Sequence, residues 1–242
     1  MRELALTLMP VVDSDKRVVG ILKRVHVLRL TSTRSNALVK DLMDDPNIVF
    51  KVNEDLITSV KVMLEFDEWY VPVVDSSGRY VGIASLDNFM SISLSRSRER
   101  NISKVVAKDI MTREVKFVLP EDRVSKVWRN IIVYRISGYP VVNNHKELKV
   151  IGIITQHDLL KRGYTRIELE SESGPKKGTK VRDAMTTPAL TVSPNTELLD
   201  IIEVMLDKKI GRVPVVNDKS KLIGIVDRYD VSKALINYGL IK

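Results

Sequence analysis

Three segments of the chain repeat one helical pattern of apolar residues. The apolar positions recur at i, i+4 and i+7, the spacing of one face of an α-helix. Acidic residues or proline stand just before each segment, as they do at the first turn of many helices. We therefore predict three amphipathic helices. Their apolar positions are Leu56/Val60/Met63, Val124/Trp128/Ile131 and Leu198/Ile202/Met205.

Each predicted helix is followed by two short apolar signatures. A Pro-Val-Val-(Asp/Asn) tetrad begins at Pro72, Pro140 and Pro214, and a further copy begins at Pro10. After each tetrad comes a Val/Ile-Gly-Ile signature, separated from it by turn-forming residues, and these runs predict paired strands. The glycines of this second signature are Gly20, Gly82, Gly152 and Gly224.

A third signature, (Lys/Arg)-Asp-x-Met, precedes three of the helices and ends at Met43, Met111 and Met185. Because the interval from this Met to the next tetrad is the same each time, we infer internal duplication. The predicted unit runs strand–helix–strand–strand–helix, with the first strand at the Met signature. It is too small to bury both faces of its sheet alone, so pairing of units is expected.

Composition removes several classes of chemistry. The chain has no cysteine and only three histidines, which excludes disulfides, thiolate catalysis and cysteine-based metal sites. No apolar run approaches the ~20 residues of a membrane span. We see no nucleophile–base pair and no glycine-rich phosphate loop. We therefore expect a cytoplasmic protein that is not an enzyme, does not enter the membrane, and requires no metal or cofactor.

The basic charge leaves a second class of function open. A formal net charge of +8 and a pI of about 9.5 suit a nucleic-acid partner. Most Lys and Arg residues are interleaved with acids, however, and the basic cluster at Arg96–Arg100 has no aromatic residues for base stacking. A solvated surface is the favoured interpretation, and nucleic-acid binding is the alternative.

Taken together, Asp-x-Met-Thr, a helix, Pro-Val-Val-Asp and Gly-Ile-Ile-Thr-x-x-Asp resemble the cystathionine-beta-synthase (CBS) repeat. The resemblance is to four-repeat proteins such as the gamma subunit of AMP-activated protein kinase and its archaeal relatives. It implies an α/β (α+β) fold of tandem β-α-β-β-α repeats, paired into two Bateman-type modules. The implied boundaries are 1–34 for a partial repeat 1, 35–94 for repeat 2, 103–163 for repeat 3 and 177–239 for repeat 4.

Repeat 1 is expected to be N-terminally truncated, since Pro10 has too few residues before it for the Met signature and a whole first helix. An apolar face left uncovered in this way favours self-association. From this face and from the habit of the family we expect a homodimer. The same feature leaves open that the chain is the regulatory portion of a larger enzyme or transporter.

The resemblance also implies where a ligand binds. In the family, a Ser/Thr-x-x-Asp at the junction between the Gly-signature strand and the second helix takes phosphate on the hydroxyl side and ribose on the carboxylate. The neighbouring strands line the base. Carried over residue by residue, the candidates are Thr155, His157 and Asp158 in repeat 3; Asp227, Arg228 and Asp230 in repeat 4; and Thr112, Ser137, Gly138, Tyr139, Thr186 and Arg212 around them.

A purely structural interpretation competes at each junction, because Thr-x-x-Asp at a helix start also forms a capping box. We favour ligand binding for Thr155/Asp158 and capping for Ser85/Asn88, and leave Asp227/Asp230 open. In repeat 4 the extra acid Asp227 would repel phosphate, although the neighbouring Arg228 could offset it. Trp69 and Trp128 are interpreted as core residues rather than stacking platforms.

The function implied is that of a regulatory module. It would bind an adenosine derivative (AMP, ADP, ATP or S-adenosylmethionine) in the cleft of repeats 3 and 4. It would then signal to a regulated protein that the sequence does not identify.

Overall fold

The computed structural model describes residues 1, 6–28, 36–97, 105–161 and 178–239. The chain divides into two compact units. Unit 1 comprises residues 1–11, 19–45 and 116–189; unit 2 comprises residues 12–18, 46–115 and 190–242. Both units combine short helices with small sheets, so the mixed α/β fold class predicted from the sequence is confirmed.

Unit 1 carries a strand pair and a short helix near the start of the chain, the helix–hairpin–helix segment of repeat 3, and the opening turns of repeats 2 and 4. Its elements are β1 (Leu8–Val12), β2 (Val18–Lys23), α1 (Arg24–Leu28), α2 (Val39–Leu42), α6 (Val124–Tyr134), β6 (Gly138–Val142), β7 (Val150–Thr155), α7 (Gln156–Lys161) and α8 (Val181–Ala184). Its core centres on Ile131, Val141, Ile154 and Leu159, all fully buried or nearly so. The indole of Trp128 packs against this core and donates to the Leu28 carbonyl at 2.7 Å.

Unit 2 contains the helix–hairpin–helix segments of repeats 2 and 4 and the opening turn of repeat 3. Its elements are β3 (Phe50–Lys51), α3 (Leu56–Glu65), β4 (Tyr70–Val74), β5 (Tyr80–Ser85), α4 (Leu86–Ser97), α5 (Ala107–Ile110), α9 (Leu198–Asp207), β8 (Arg212–Val216), β9 (Leu222–Asp227) and α10 (Arg228–Asn237). The predicted apolar stripes of α3 and α9 face its core, where Val60, Met63, Ile202 and Met205 are buried.

The proline and glycine signatures face each other across antiparallel strand pairs. Pro72, Pro140 and Pro214 each pair with the Ile that follows the signature glycine, and the next Val pairs with the glycine itself. The register shifts at the following Val in all three pairs. This shared register explains the near-constant spacing of the two signatures, because both belong to one hairpin.

A single helical turn stands at the Met signature, and the predicted first strand begins after it. In repeat 2 this strand is β3, which pairs in parallel with β4; in repeats 3 and 4 it is reduced to the parallel bridges Val118–Val141 and Val192–Val215. In α2 and α5 the signature aspartate closes this turn: Asp41 accepts from the Leu38 N–H at 2.9 Å, and Asp109 from the Val106 N–H at 3.0 Å. Asp side chains compete with regular strand pairing in this way because they bond to nearby backbone donors. After the turn, the chain becomes extended again at the Met.

The signature methionine explains three of the four signature glycines. A Cβ added to Gly152 would lie 2.8 Å from the Met185 sulfur and 2.9 Å from the Thr186 carbonyl oxygen. In unit 2, Met111 covers Gly224 in the same manner, and in unit 1 Met43 covers Gly20. At these three glycines an opening segment packs on a hairpin from another part of the chain, and only glycine leaves room for this approach. The fourth signature glycine, Gly82, has no such neighbour among the described residues.

Candidate ligand-binding site

The strand–helix junction of repeat 3 brings its hydroxyl and carboxylate side chains together. Thr155 ends β7, and α7 begins at the next residue. The Asp158 carboxylate accepts from the Thr155 N–H at 2.8 Å and from its hydroxyl at 2.6 Å, both through Oδ2. The Asp158 N–H donates back to Thr155 Oγ1 at 3.3 Å. The capping box considered at the sequence level is thus formed.

The second carboxylate oxygen of Asp158 faces a residue of a different repeat. Thr186 Oγ1 donates to Asp158 Oδ1 at 3.0 Å. Thr186 is held there by its own backbone, which exchanges two hydrogen bonds with Ile153 of β7. A carboxylate has about four acceptor positions, so Asp158 can cap α7 and still accept another donor on its Oδ1 side. Capping and ligand binding are therefore compatible at this residue.

The residues before Pro140 build the backbone around this junction. Gly138 pairs with Thr155, and a Cβ added to Gly138 would lie 2.8 Å from the Thr155 methyl group. The Ser137 carbonyl accepts from the Gln156 N–H at 2.9 Å. Tyr139 is fully buried in the core of unit 1. Its side chain packs there because both faces of β6 are covered, which corrects the expectation that it lines a base slot.

His157 lies half-buried beside Asp158. Its Nδ1 is buried, without a hydrogen-bond partner among the residues that the structure describes. Burial lowers the pKa of His157, and the positive charge of Arg24 lowers it further. The imidazole is therefore neutral at physiological pH, and it can offer an acceptor or a donor but no full charge.

The junction of repeat 4 has the same backbone arrangement with different side chains. Asp227 ends β9 and accepts from the Tyr229 N–H at 2.9 Å, while Asp230 accepts from the Asp227 N–H at 3.0 Å. Burial, together with the charge of Asp227, raises the pKa of Asp230 to about 7. Thr112 occupies the place of Thr186: its backbone pairs with Ile225, and its side chain is exposed.

Arg228 does not offset the charge of Asp227. Its guanidinium forms an ion pair with Asp87 of repeat 2 and lies 5.5 Å from the ring centre of Trp69. Arg212 is 8% exposed and lies 5.6 Å from the same ring. Trp69 and Asp87 could not be found from motif spacing, because their contact with Arg228 joins residues more than 140 positions apart.

The other two junctions carry different groups. In repeat 2, Ser85 and Asn88 form a side-chain bond of 2.6 Å and a cap in which Asn88 N–H donates to Ser85 Oγ, as predicted. In the first segment, His26 stands where Asp158 stands in repeat 3, and its Nε2 lies 3.0 Å from Asp44. Asp44 pairs with Ile21 as Thr186 pairs with Ile153. In repeat 3 the opening-segment residue Thr186 donates to Asp158 of the junction. In the first segment the roles are reversed, because His26 of the junction faces the acceptor Asp44 of the opening segment.

Comparison with protein families settles what these repeated elements are. The CBS domain pattern matches residues 39–95, 107–164 and 181–237. The chain belongs to the CBS domain family. The three matched CBS repeats contain the signatures, the hairpins and the junctions of repeats 2 to 4 described above. Residues 1–34 lie outside the matched ranges.

Two relatives from Methanocaldococcus jannaschii illustrate the range of proteins that share these repeats. An uncharacterized protein, MJ1404, is 32% identical over 190 residues, covering 75% of this chain and 44% of the relative. An inosine-5'-monophosphate dehydrogenase is 30% identical over 155 residues, covering 64% of this chain and 28% of the enzyme. The chain therefore spans less than half the length of either relative.

Solved structures share the fold over nearly the whole chain. Protein MJ1225 from Methanocaldococcus jannaschii, described as a candidate archaeal homolog of g-AMPK, superposes with a TM-score of 0.81 and 22% identity. The match covers 96% of this chain and 89% of that one. Separately, no helix among the described residues is long and apolar enough to cross a membrane.

Proposed function

We propose that this chain is a regulatory CBS module that binds an adenosine derivative at the repeat 3 junction. The observation that carries the proposal is the position of Asp158, whose Oδ1 meets the Thr186 hydroxyl of repeat 4. A ligand that bonds to both residues would join repeat 3 to the opening segment of repeat 4. Binding would then change the free energy of that contact, which a regulated protein could sense.

The chemistry of the junction suits a ribose. Two vicinal hydroxyl groups need two acceptor positions, and the two lone pairs of Asp158 Oδ1 supply them once the Thr186 hydroxyl is displaced. The Thr186 hydroxyl is exposed, so a ribose hydroxyl can replace it at Asp158 Oδ1 while Thr155 remains bonded to Oδ2. Thr155, Ser137 and Gly138 form the rim, and neutral His157 adds a polar group. AMP, ADP, ATP and S-adenosylmethionine all carry the ribose that this arrangement fits.

The repeat 4 junction is a second proposed location, formed by Thr112, Arg212, Asp227, Arg228 and Asp230. It keeps the carboxylate of the ribose position. Two adjacent carboxylates make it a poorer place for an anionic ligand than the repeat 3 junction, because Asp227 replaces the hydroxyl.

We also propose that residues 1–34 are a fourth, partial CBS repeat. The order β1, β2, α1 matches the second half of the other repeats, and Gly20 contacts Met43 as Gly152 contacts Met185. Leu38 and Val39 at the start of α2 are 56% and 48% exposed, whereas Val181 of α8 is fully buried. This apolar surface supports a homodimer, which sedimentation analysis of wild type and Val39→Glu would test.

Calorimetric titration tests the ligand proposal. AMP, ATP, S-adenosylmethionine and NADH are titrated into wild type, Asp158→Ala and Asn88→Ala. Asn88 holds the matching position in repeat 2, so its variant controls for the loss of the side-chain bond between the two junction residues. We expect at least one adenosine ligand to bind wild type and Asn88→Ala alike, with at least tenfold weaker binding to Asp158→Ala. Equal affinity for all three proteins would place the site elsewhere, and no heat with any ligand would leave Asp158 as a cap alone.

A further inference from the structure

The opening segments of repeats 3 and 4, meaning the helical turn and Met of each signature, bond to matching backbone atoms of the repeat that they cover. Each turn donates two N–H groups to the loop before the first helix of that repeat, and the segment also accepts from the first amide of that helix. For repeat 3 on repeat 4 the bonds run from Ala107 to Thr196, from Lys108 to Pro194 and from Leu198 to Val105. For repeat 4 on repeat 3 they run from Val181 to Asp122, from Arg182 to Pro120 and from Val124 to Thr179.

Beyond the turn, an opening segment also covers the hairpin. Its Met lies over the signature glycine, and the next residue exchanges two backbone hydrogen bonds with the Ile that follows this glycine. The bridged pairs are Thr112 with Ile225, Thr186 with Ile153 and Asp44 with Ile21. Three hairpins of this chain are thus covered by the same chemistry.

The hairpin of repeat 2 presents the same atoms without a cover. Ile83 lies opposite Pro72, as the matching Ile lies opposite Pro in repeats 3 and 4. In those repeats the N–H and C=O of the Ile point away from the Pro to the opening segment, so those of Ile83 point to the open edge of β5. Among the described residues no segment bridges to Ile83, and a Cβ at Gly82 would meet nothing within 4 Å.

The loop before α3 is open in the same way. Val52, Glu54 and Leu56 hold the positions of Pro194, Thr196 and Leu198 in repeat 4. Within the part of the chain that the structure describes, no backbone bond reaches the carbonyls of Val52 and Glu54 or the N–H of Leu56. Val52 is 60% exposed. The Asp55 side chain caps α3 instead, whereas α6 and α9 begin without a side-chain cap.

We propose that Val52, Glu54, Leu56, Gly82 and Ile83 form a docking surface, the repeat 2 platform, for an opening-type segment of a partner protein. An exposed strand edge binds an extended segment through main-chain hydrogen bonds, and a side-chain seat gives specificity. The partner segment carries Asp-x-Met: the Asp closes a helical turn, the Met lies over Gly82, and the next residue bridges to Ile83. Four residues before the Met it carries a small apolar side chain, since Ala107 and Val181 are fully buried there.

A partner protein suits the platform better than a second copy of this chain. The segments at Met43, Met111 and Met185 already cover glycines of their own chain. A second copy would have to uncover one of these glycines in order to cover Gly82, so the exchange would gain no contact. A separate protein loses nothing by docking. This inference goes beyond the proposed function and does not involve Asp158.

Amide hydrogen exchange, followed by NMR, tests whether the platform is open. In the free chain the N–H of Ile83 should exchange about a hundredfold faster than the N–H groups of Ile153 and Ile225, because a bridge protects only the latter two. Equal protection of the three amides would overturn the proposal, since another part of the chain would then cover β5.

A peptide with the sequence of residues 105–115 tests the occupant. It suits the platform because Lys108 Nζ donates to Asn195 at 3.2 Å, and Asn53 holds the matching position in repeat 2. Saturating peptide should slow the exchange of the Ile83 and Leu56 amides about tenfold. The same peptide with Met111→Asp should have no effect, because a carboxylate would lie buried over Gly82 without a partner.

Gly82→Val is the matched change in the protein. Its side chain fills the seat of the Met, and the open space around Gly82 lets the fold remain. The variant should bind the peptide about tenfold more weakly than wild type and keep the urea midpoint of wild type. Gly224→Val should lower that midpoint, because Met111 already lies over Gly224. Equal midpoints for the two variants would contradict an open seat at Gly82.

Two further outcomes would overturn the proposal. The first is unchanged exchange of the Ile83 amide with peptide, or peptide binding to Gly82→Val as tight as to wild type. The second is self-association of wild type that sedimentation shows to be lost in Gly82→Val, because a second copy would then be the occupant. A dimer formed through Val39 should be insensitive to Gly82→Val. Loss of ligand binding in Asp158→Ala leaves these results intact, so the two proposals fail separately.

Discussion

The junctions of repeats 3 and 4 share one backbone and differ in charge. Both place an acceptor at the last strand residue and an aspartate three residues later, and both form the same reciprocal cap. In repeat 3 the cap residue Thr155 donates a hydrogen bond to Asp158. In repeat 4 the cap residue Asp227 adds a carboxylate, which helps to raise the pKa of Asp230 to about 7. The comparison teaches that helix capping preserves the geometry while one side chain decides the electrostatics.

The largest expected effect comes from making repeat 3 resemble repeat 4. Thr155→Asp keeps a capping acceptor but places a second carboxylate beside Asp158. We expect the affinity for AMP to fall about a hundredfold, close to 2.7 kcal/mol, with the free energy of unfolding changed by less than about 1 kcal/mol. Calorimetry and urea unfolding measure the two quantities. Retained AMP affinity in Thr155→Asp would mean that charge at this position does not distinguish the two repeats.

The second expected effect is on how the free energy of unfolding depends on pH. The pKa of Asp230 is raised from 3.8 to about 7 in the folded chain, so the folded state binds the proton more tightly than the unfolded state. The stabilisation is fully present below pH 3.8 and is lost as pH rises towards 7. Between pH 5 and pH 8 the free energy of unfolding of wild type should fall by about 2 kcal/mol more than that of Asp230→Asn. Parallel urea unfolding curves measure this difference, and parallel pH profiles for the two proteins would contradict it.

A smaller effect is expected from the reverse change, which makes repeat 4 resemble repeat 3. Asp227→Thr gives repeat 4 the hydroxyl of repeat 3 and removes the neighbouring charge. The pKa of Asp230 should fall by about one unit, equivalent to about 1.4 kcal/mol. Because burial is the larger cause of the shift, the pKa should stay above its ordinary value. A carboxyl-carbon NMR titration measures it, and an unchanged pKa would show that Asp227 contributes nothing.

Much of the fold was predictable because local patterns determine it. The i, i+4, i+7 stripes predicted α3, α6 and α9, and the Pro and Gly signatures predicted the hairpins. The opening turn at Asp109 was missed because a short polar side chain can close a helical turn within a β-like pattern. The burial of Tyr139 was missed because a strand covered on both faces shows no alternation.

The candidate sites were predictable only where the residues are neighbours in sequence. Thr155 and Asp158 are three positions apart, so a motif reveals them. The contacts of Asp87 with Arg228 and of His26 with Asp44 depend on how distant segments fold together. No spacing rule contains that information. The contact of His26 with Asp44 could still have been suggested by their positions, because these match the positions of Asp158 and Thr186.

The smallest effect is expected at repeat 2, where the junction has no carboxylate in the ribose position. Asn88→Ala removes the side-chain bond that the Ser85 hydroxyl donates to Asn88 Oδ1 and should destabilise the chain by about 1 kcal/mol. Adenosine-ligand affinity should remain within twofold of wild type. Urea unfolding and calorimetry on one preparation measure both quantities. A tenfold loss of ligand affinity would show that repeat 2 takes part in binding.

The central claim is that Asp158 holds the ribose hydroxyl groups of an adenosine ligand, and sugar analogues test it directly. The measurement is the affinity of AMP and of its 2′,3′-dideoxy analogue for wild type and Asp158→Ala. We predict that wild type prefers AMP at least tenfold and that Asp158→Ala binds both nucleotides equally. Equal binding of the two nucleotides to wild type, or an undiminished preference in Asp158→Ala, would contradict the account.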